Sequence, residues 1–160
     1  SFSRLATERE WEYAARGGLF NQTYPWGKDE PSSQKPNSPM FNYWPGKKFD
    51  VSDEEGILLN KDIDGFHGLA PAKHYLPNDY GLYQMCGNVW EWTADWYQAA
   101  YPTGNPVVDP TGPSFASARA TRSGSWDFGG GSVRSAKRSS SGPRFRDDNL
   151  GFRVGFQKSQ

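Results

Sequence analysis

The stretch Tyr80-Gly-Leu-Tyr-Gln-Met-Cys-Gly-Asn-Val-Trp-Glu-Trp-Thr-Ala-Asp-Trp96 constrains the fold of this chain more than any other. Three of the seven tryptophans and two of the eight tyrosines fall in it. Rings at this density, with polar segments on both sides, mark a place where a core is held. Glu91 stands between Trp90 and Trp92. A carboxylate among large apolar groups requires an arginine, backbone N–H groups or a metal. Gly87 and Asn88 read as a turn, and turns expose carbonyl oxygens. Glu91 with those carbonyls suits a hard, oxygen-liganded cation such as calcium. Pairing with an arginine or with backbone is the alternative, and spacing alone favours it.

Composition bounds the rest. The 160 residues read as a single domain with room for a core. Eighteen basic side chains balance eighteen acidic ones, so no nucleic-acid partner is implied. No apolar run reaches membrane-spanning length and no signal peptide is visible, so direct membrane insertion is not expected. Mean hydropathy of −0.84 points towards disorder, but 16% aromatic residues point back to a packed core. Eighteen glycines and twelve prolines imply many turns and few long elements. The expected class is α+β with little regular secondary structure. A single cysteine, Cys86, excludes an internal disulfide and leaves the compartment open.

Local signals place the elements. Thr7 followed by Glu10 is a capping-box pattern, and Gly17-Gly18 stops the helix that runs to Arg16. Leu5, Trp11, Ala14 and Ala15 share its inward face. Tyr24-Pro-Trp-Gly27 reads as an aromatic turn, and residues 28 to 40 as surface loop. Ala70 to Asp79 reads as extended chain, residues 98 to 118 as an irregular crossing loop. Arg119 to Trp126 reads as a short strand and Leu150 to Phe156 as a closing strand. Arg134, Arg138 and Arg153 suit structural pairing with carboxylates such as Glu91 or Glu12.

Four pieces in fixed order carry a resemblance. They are Arg4-Leu-Ala-Thr-Glu-Arg-Glu-Trp-Glu-Tyr-Ala-Ala-Arg-Gly-Gly18, the Gly81 to Tyr97 stretch, Gly124-Ser-Trp126 with Arg134 and Arg138 after it, and Asn149-Leu-Gly-Phe-Arg153. Together they resemble the formylglycine-generating-enzyme (sulfatase-modifying factor) superfamily. The resemblance implies a variant of the C-type lectin fold over residues 1–160, with the family's N-terminal part missing. It also implies two structural calcium sites. One maps to Asn42, Tyr43, Asp64 and Phe66, with all needed side chains present. The other maps to Gln84, Gly87, Val89 and Glu91, where Gln84 replaces the usual Asp or Asn and supplies less charge.

Formylglycine chemistry, as the resemblance implies it, needs two cysteines just after the Gly-Ser-aromatic motif, where soft thiolates hold copper. The segment Asp127 to Ser132 has none, so neither copper nor catalysis is expected. Two scattered histidines, His67 and His74, supply neither zinc spacing nor the three-histidine iron site of a second branch. Asp127, Asp147 and Asp148 read as exposed loop acids rather than a glycosidase pair.

A binding module remains. One branch of the resembled family contains variable proteins diversified by retroelements that replace adenines in a C-terminal repeat. Residues reachable that way stand here at Asp127, Phe128, Gly129, Gly130, Gly131, Ser132, Ser139, Ser140, Ser141, Phe145, Asp147, Asp148 and Asn149, with Trp126 beside them. The expectation is a non-catalytic domain displaying loops at about 127–149 on a rigid scaffold. Its partner would be a protein on another cell or virus surface. Its place would be a cell surface, the extracellular space or a virion. The alternatives are a catalytically dead paralogue that binds peptides or sulfatases, and a structural component of a cell-surface assembly. The sequence leaves the oligomeric state open.

Overall fold

Thr7 caps the helix as its spacing predicts. Its side chain accepts from the Glu10 N–H, and the Glu10 carboxylate accepts from the Thr7 N–H at 2.8 Å. Helix α1 spans Glu8–Arg16 and closes on Gly17, whose φ of +54° is left-handed. A Cβ at Gly17 would also lie 2.9 Å from Asn78. Asn78 finishes that end: its Nδ2 donates to the Ala14 and Ala15 carbonyls at 2.7 and 3.4 Å.

The computed structural model describes residues 2–28, 51–52, 58–59, 66, 68–100 and 112–157. Asn42, Tyr43, Asp64 and His67, and most of the segments 28 to 40 and 98 to 118, lie outside these residues. Strand β1 is Phe2–Leu5, and β2 (Val51–Ser52) pairs with β3 (Leu58–Leu59). The central sheet is built from β4 (Trp90–Trp96), β5 (Arg119–Arg122), β6 (Ser139–Ser141) and β7 (Leu150–Phe152), in the order β6-β5-β4-β7. β4 and β7 run parallel; the other neighbours are antiparallel. β8 (Val154–Gln157) pairs antiparallel with β1, so the two ends of the described chain meet.

Three expectations change. The strand expected over Arg119 to Trp126 ends at Arg122, because Ser123 and Gly124 take positive φ of 96° and 73° and turn the chain out of the sheet. The closing strand divides at Arg153: Leu150–Phe152 joins the central sheet and Val154–Gln157 joins β1. Arg153 lies at the break because its guanidinium turns inward to Glu91 and to the carbonyls of Tyr83 and Gln84. Within residues 70 to 79 the chain turns at 72 to 75 rather than staying extended, with His74 N–H on the Pro71 carbonyl at 2.9 Å. The aromatic turn is as expected: Tyr24 and Gly27 exchange backbone hydrogen bonds, and Tyr24 stacks on Trp26 at 4.9 Å.

The core lies between α1 and the inner side of the sheet. Trp11, Ala15, Tyr24, Met85, Cys86 and Val133 form it, with Ala14 packed against them. Charge is buried there too. Arg122 is fully buried and stacks 5.2 Å from the Trp11 ring. It donates to Glu8 Oε1 at 3.2 Å, Glu12 Oε2 at 2.7 Å and the Ser135 carbonyl at 2.8 Å. Arg138 grips Glu8 from the other side at 2.9 and 2.6 Å. Burial pushes the Glu12 carboxyl up, but the bonds from Arg122 and Arg16 outweigh it and leave it below the usual range.

Candidate functional site

Cross-strand register decides which side chains share a face. Glu91 opposes Arg122 on the helix side, so the neighbouring pair Trp92 and Thr121 faces away from α1. The same alternation puts Trp90 of β4, Leu150 and Phe152 of β7, and Ser139 and Ser141 of β6 on the outer face.

At one end of that face lies a cleft of about 170 Å³. Trp90, Thr121 and Leu150 belong to its sheet floor, and Phe128, Phe145 and Asp147 come from the loops. Ser139, Ser141 and Asn149 complete the lining. The Phe128 ring meets Trp90 edge-on at 5.5 Å while staying 42% exposed. Beside the cleft, Asp127 ties two loops together. It accepts from Ser125 Oγ at 2.6 Å and from Asn149 Nδ2 at 2.9 Å.

Of the fourteen residues named from the sequence as a binding face, Phe128, Ser139, Ser141, Phe145, Asp147 and Asn149 line this one cleft. Asp127 is joined to it through Asn149. Gly130–Ser132 form a 3₁₀ turn after Gly129 and hold Arg134 Nε on the Gly131 carbonyl at 2.9 Å. Ser140 opposes the buried Ala120, so it points to the helix side. Trp126 is half-buried with its N–H on the Asn88 carbonyl, and Asp148 is exposed. Sequence reasoning did not include Trp90, Thr121 and Leu150. Only the pairing of β4 with β5 and β7 brings them under the loops.

The scaffold under the loops depends on Gly124. Its φ is +73°, and a Cβ there would lie 2.6 Å from the Ser132 carbonyl oxygen. The loop after β5 therefore folds back on itself only with glycine at this position.

Glu91 is buried and satisfied by protein. Its Oε2 accepts from Trp11 Nε1 and Arg153 Nε, each at 2.6 Å, and its Oε1 from Arg153 Nη2 at 2.5 Å. Gln84 differs: its Nε2 donates to the Pro71 carbonyl, while its buried Oε1 has no hydrogen-bond partner among the described residues. The Gly87 carbonyl accepts from Ser123 Oγ at 2.9 Å. Phe66 is half-buried with its ring edge-on to His74 at 4.7 Å. Cys86, the chain's one cysteine, lies in the core, and burial pushes its thiol well above the usual range.

A short helix packed on a small sheet, with long irregular segments gathered over one sheet face, is the arrangement of C-type-lectin-fold proteins. The sulfatase-modifying factor enzyme 1-like domain family matches residues 2–157, and the chain belongs to that family. It is 42% identical over 154 residues to the formylglycine-generating enzyme of Streptomyces coelicolor, covering 94% of this chain and 45% of that protein. It is 44% identical over 156 residues to the inactive C-alpha-formylglycine-generating enzyme 2 of Bos taurus, covering 94% and 42%. The structure of Treponema denticola variable protein 1 matches with a TM-score of 0.70 at 30% identity, over 95% of this chain and 46% of that one. The chain thus spans less than half the length of these relatives.

Proposed function

We propose that the chain is a non-catalytic binding domain whose loops at 127–149 present the cleft over Trp90 to a protein partner. The observation that carries this is the convergence of six of the loop residues on one aromatic-floored cleft. A volume of about 170 Å³ is below the roughly 300–1,000 Å³ of small-molecule sites, and suits one inserted side chain of a larger partner. Phe128 and Phe145 stand exposed at its mouth as anchors, and the serine hydroxyls offer adaptable hydrogen bonds. Against catalysis stands the thiol count. The one cysteine is buried in the core, and the segment 127–132 holds none.

Retroelement diversification of these positions is part of the proposal, supported by the likeness to a variable protein. Sequencing the last third of the gene across the source population tests it. Substitutions concentrated on the residues named above, at adenines of AAY codons, are expected. A uniform sequence would remove diversification and leave a fixed binding domain. The likeness to an inactive enzyme supports a second reading, a dead paralogue that binds peptides. Retention of a cysteine-containing sulfatase peptide, unaffected by Phe128→Ala or Phe145→Ala, favours that reading.

The proposal extends to structural calcium. The buried Gln84 Oε1, without a hydrogen-bond partner among the described residues, suits an oxygen-seeking cation. Glu91, whose charge Arg153 already balances, adds little to that set. The set Asn42, Tyr43, Asp64 and Phe66 rests on the family resemblance. Chelator should lower the Tm and added calcium restore it. An unchanged Tm, with no calcium in elemental analysis, removes both sites.

A further inference from the structure

The outer sheet face continues past the loop cleft into a second, larger one of about 660 Å³. Trp92, Phe152, Leu5 and Pro143 supply apolar lining, and Arg4 and Arg119 the charge. Its volume falls within the range of small-molecule sites. Phe152 is 67% exposed although it sits on a strand of the central sheet. An aromatic row on an open sheet face is apolar surface that a ligand can cover.

The two arginines differ. Arg4 is already neutralised, with both terminal nitrogens on Glu10 at 2.7 and 2.6 Å. Arg119 is not. It lies 3.7 Å over the Trp96 ring and donates Nη1 to the Ala94 carbonyl at 2.6 Å. These contacts fix the guanidinium in place without giving it a counter-charge, and none of its partners among the described residues is a carboxylate. A positioned guanidinium beside flat apolar surface selects an anion carried on a ring, because the fork matches a carboxylate while the body covers the aromatic row.

We propose that this cleft binds a small aromatic carboxylate, its ring against Trp92 and Phe152 and its carboxylate on Arg119. The site is separate from the loop cleft and does not rest on the loops binding a protein.

The test is calorimetric titration of the whole protein with 3-phenylpropionate and, in parallel, with the uncharged 3-phenylpropionamide. The acid should bind about tenfold more tightly. Arg119→Gln should abolish that preference while leaving amide binding in place, and Phe152→Ala should weaken both. Phe128→Ala, in the other cleft, should change neither, which separates this result from the fate of the loop reading. If Arg119→Gln does not fold, the native protein still reports. Acid binding should weaken with added salt and amide binding should not. Equal affinity for acid and amide overturns the proposal and leaves an apolar groove. Absence of saturable binding overturns it as well.

Discussion

Arg122 shows how one side chain sets the core. It is fully buried, yet it bridges Glu8 and Glu12 of α1 to the Ser135 carbonyl. Removing one partner of such a network strands the other charges without solvent. Arg122→Ala should cost about 3–5 kcal/mol in denaturant unfolding, against roughly 1 kcal/mol or less for Arg4→Ala in its half-exposed pair. Equal losses would contradict the account. Gly124→Ala should cost about 2 kcal/mol or more, because strain and a 2.6 Å clash with Ser132 act together. The same variant should weaken partner binding, since the loop that carries Phe128 starts there.

At the scale of elements, α1 is anchored at both ends by side chains. Asp95 of β4 accepts the Glu8 N–H at 2.8 Å at the start, and Asn78 takes the last carbonyls. Thr7→Ala should cost about 1 kcal/mol, the usual value of an N-cap. Asn78→Ala should cost a similar amount or more, because its oxygen also receives the Tyr80 and Leu82 N–H groups at 3.1 Å. The capping box and the glycine stop were legible because both are local: their partners lie within a few residues. Asn78 was not, because it reaches the helix from more than sixty positions away. The split of the closing strand at Arg153 escaped for the same reason, since Glu91 lies 62 positions away.

For the whole molecule, the carboxylates set the response to acid. The bonds from Arg4 hold Glu10 at about 2, below its ordinary 4.5. Arg122 and Arg16 hold Glu12 below its ordinary value against the effect of burial. A lowered folded-state value means stabilisation that is present above about pH 4.5 and is lost as pH falls towards 2. Asp95 opposes this. Burial pushes its carboxyl up, so protonation relieves a cost. Tm should therefore fall between about pH 5 and pH 2, and less steeply in Glu10→Gln. The difference should be small, since half of Glu10 is in water. A Tm that rises over this interval would show Asp95 to dominate. Calcium, if held, adds a second whole-molecule dependence, read by the chelator titration.

The sequence by itself determined the family, the small mixed class, the capped helix α1 and the segments that carry the loops. Each follows from residues whose meaning is local or whose order is fixed. It also placed Glu91 in need of a partner and left an arginine or a cation open. Tertiary structure supplied Arg153 as that partner. It drew six of the loop residues onto one cleft floored by Trp90, and it set Arg119 beside Trp92 and Phe152 with no carboxylate partner among the described residues. These outcomes depend on the register of β4 with its neighbours. A shift of one residue would exchange the face that carries Glu91 for the face that carries the tryptophans.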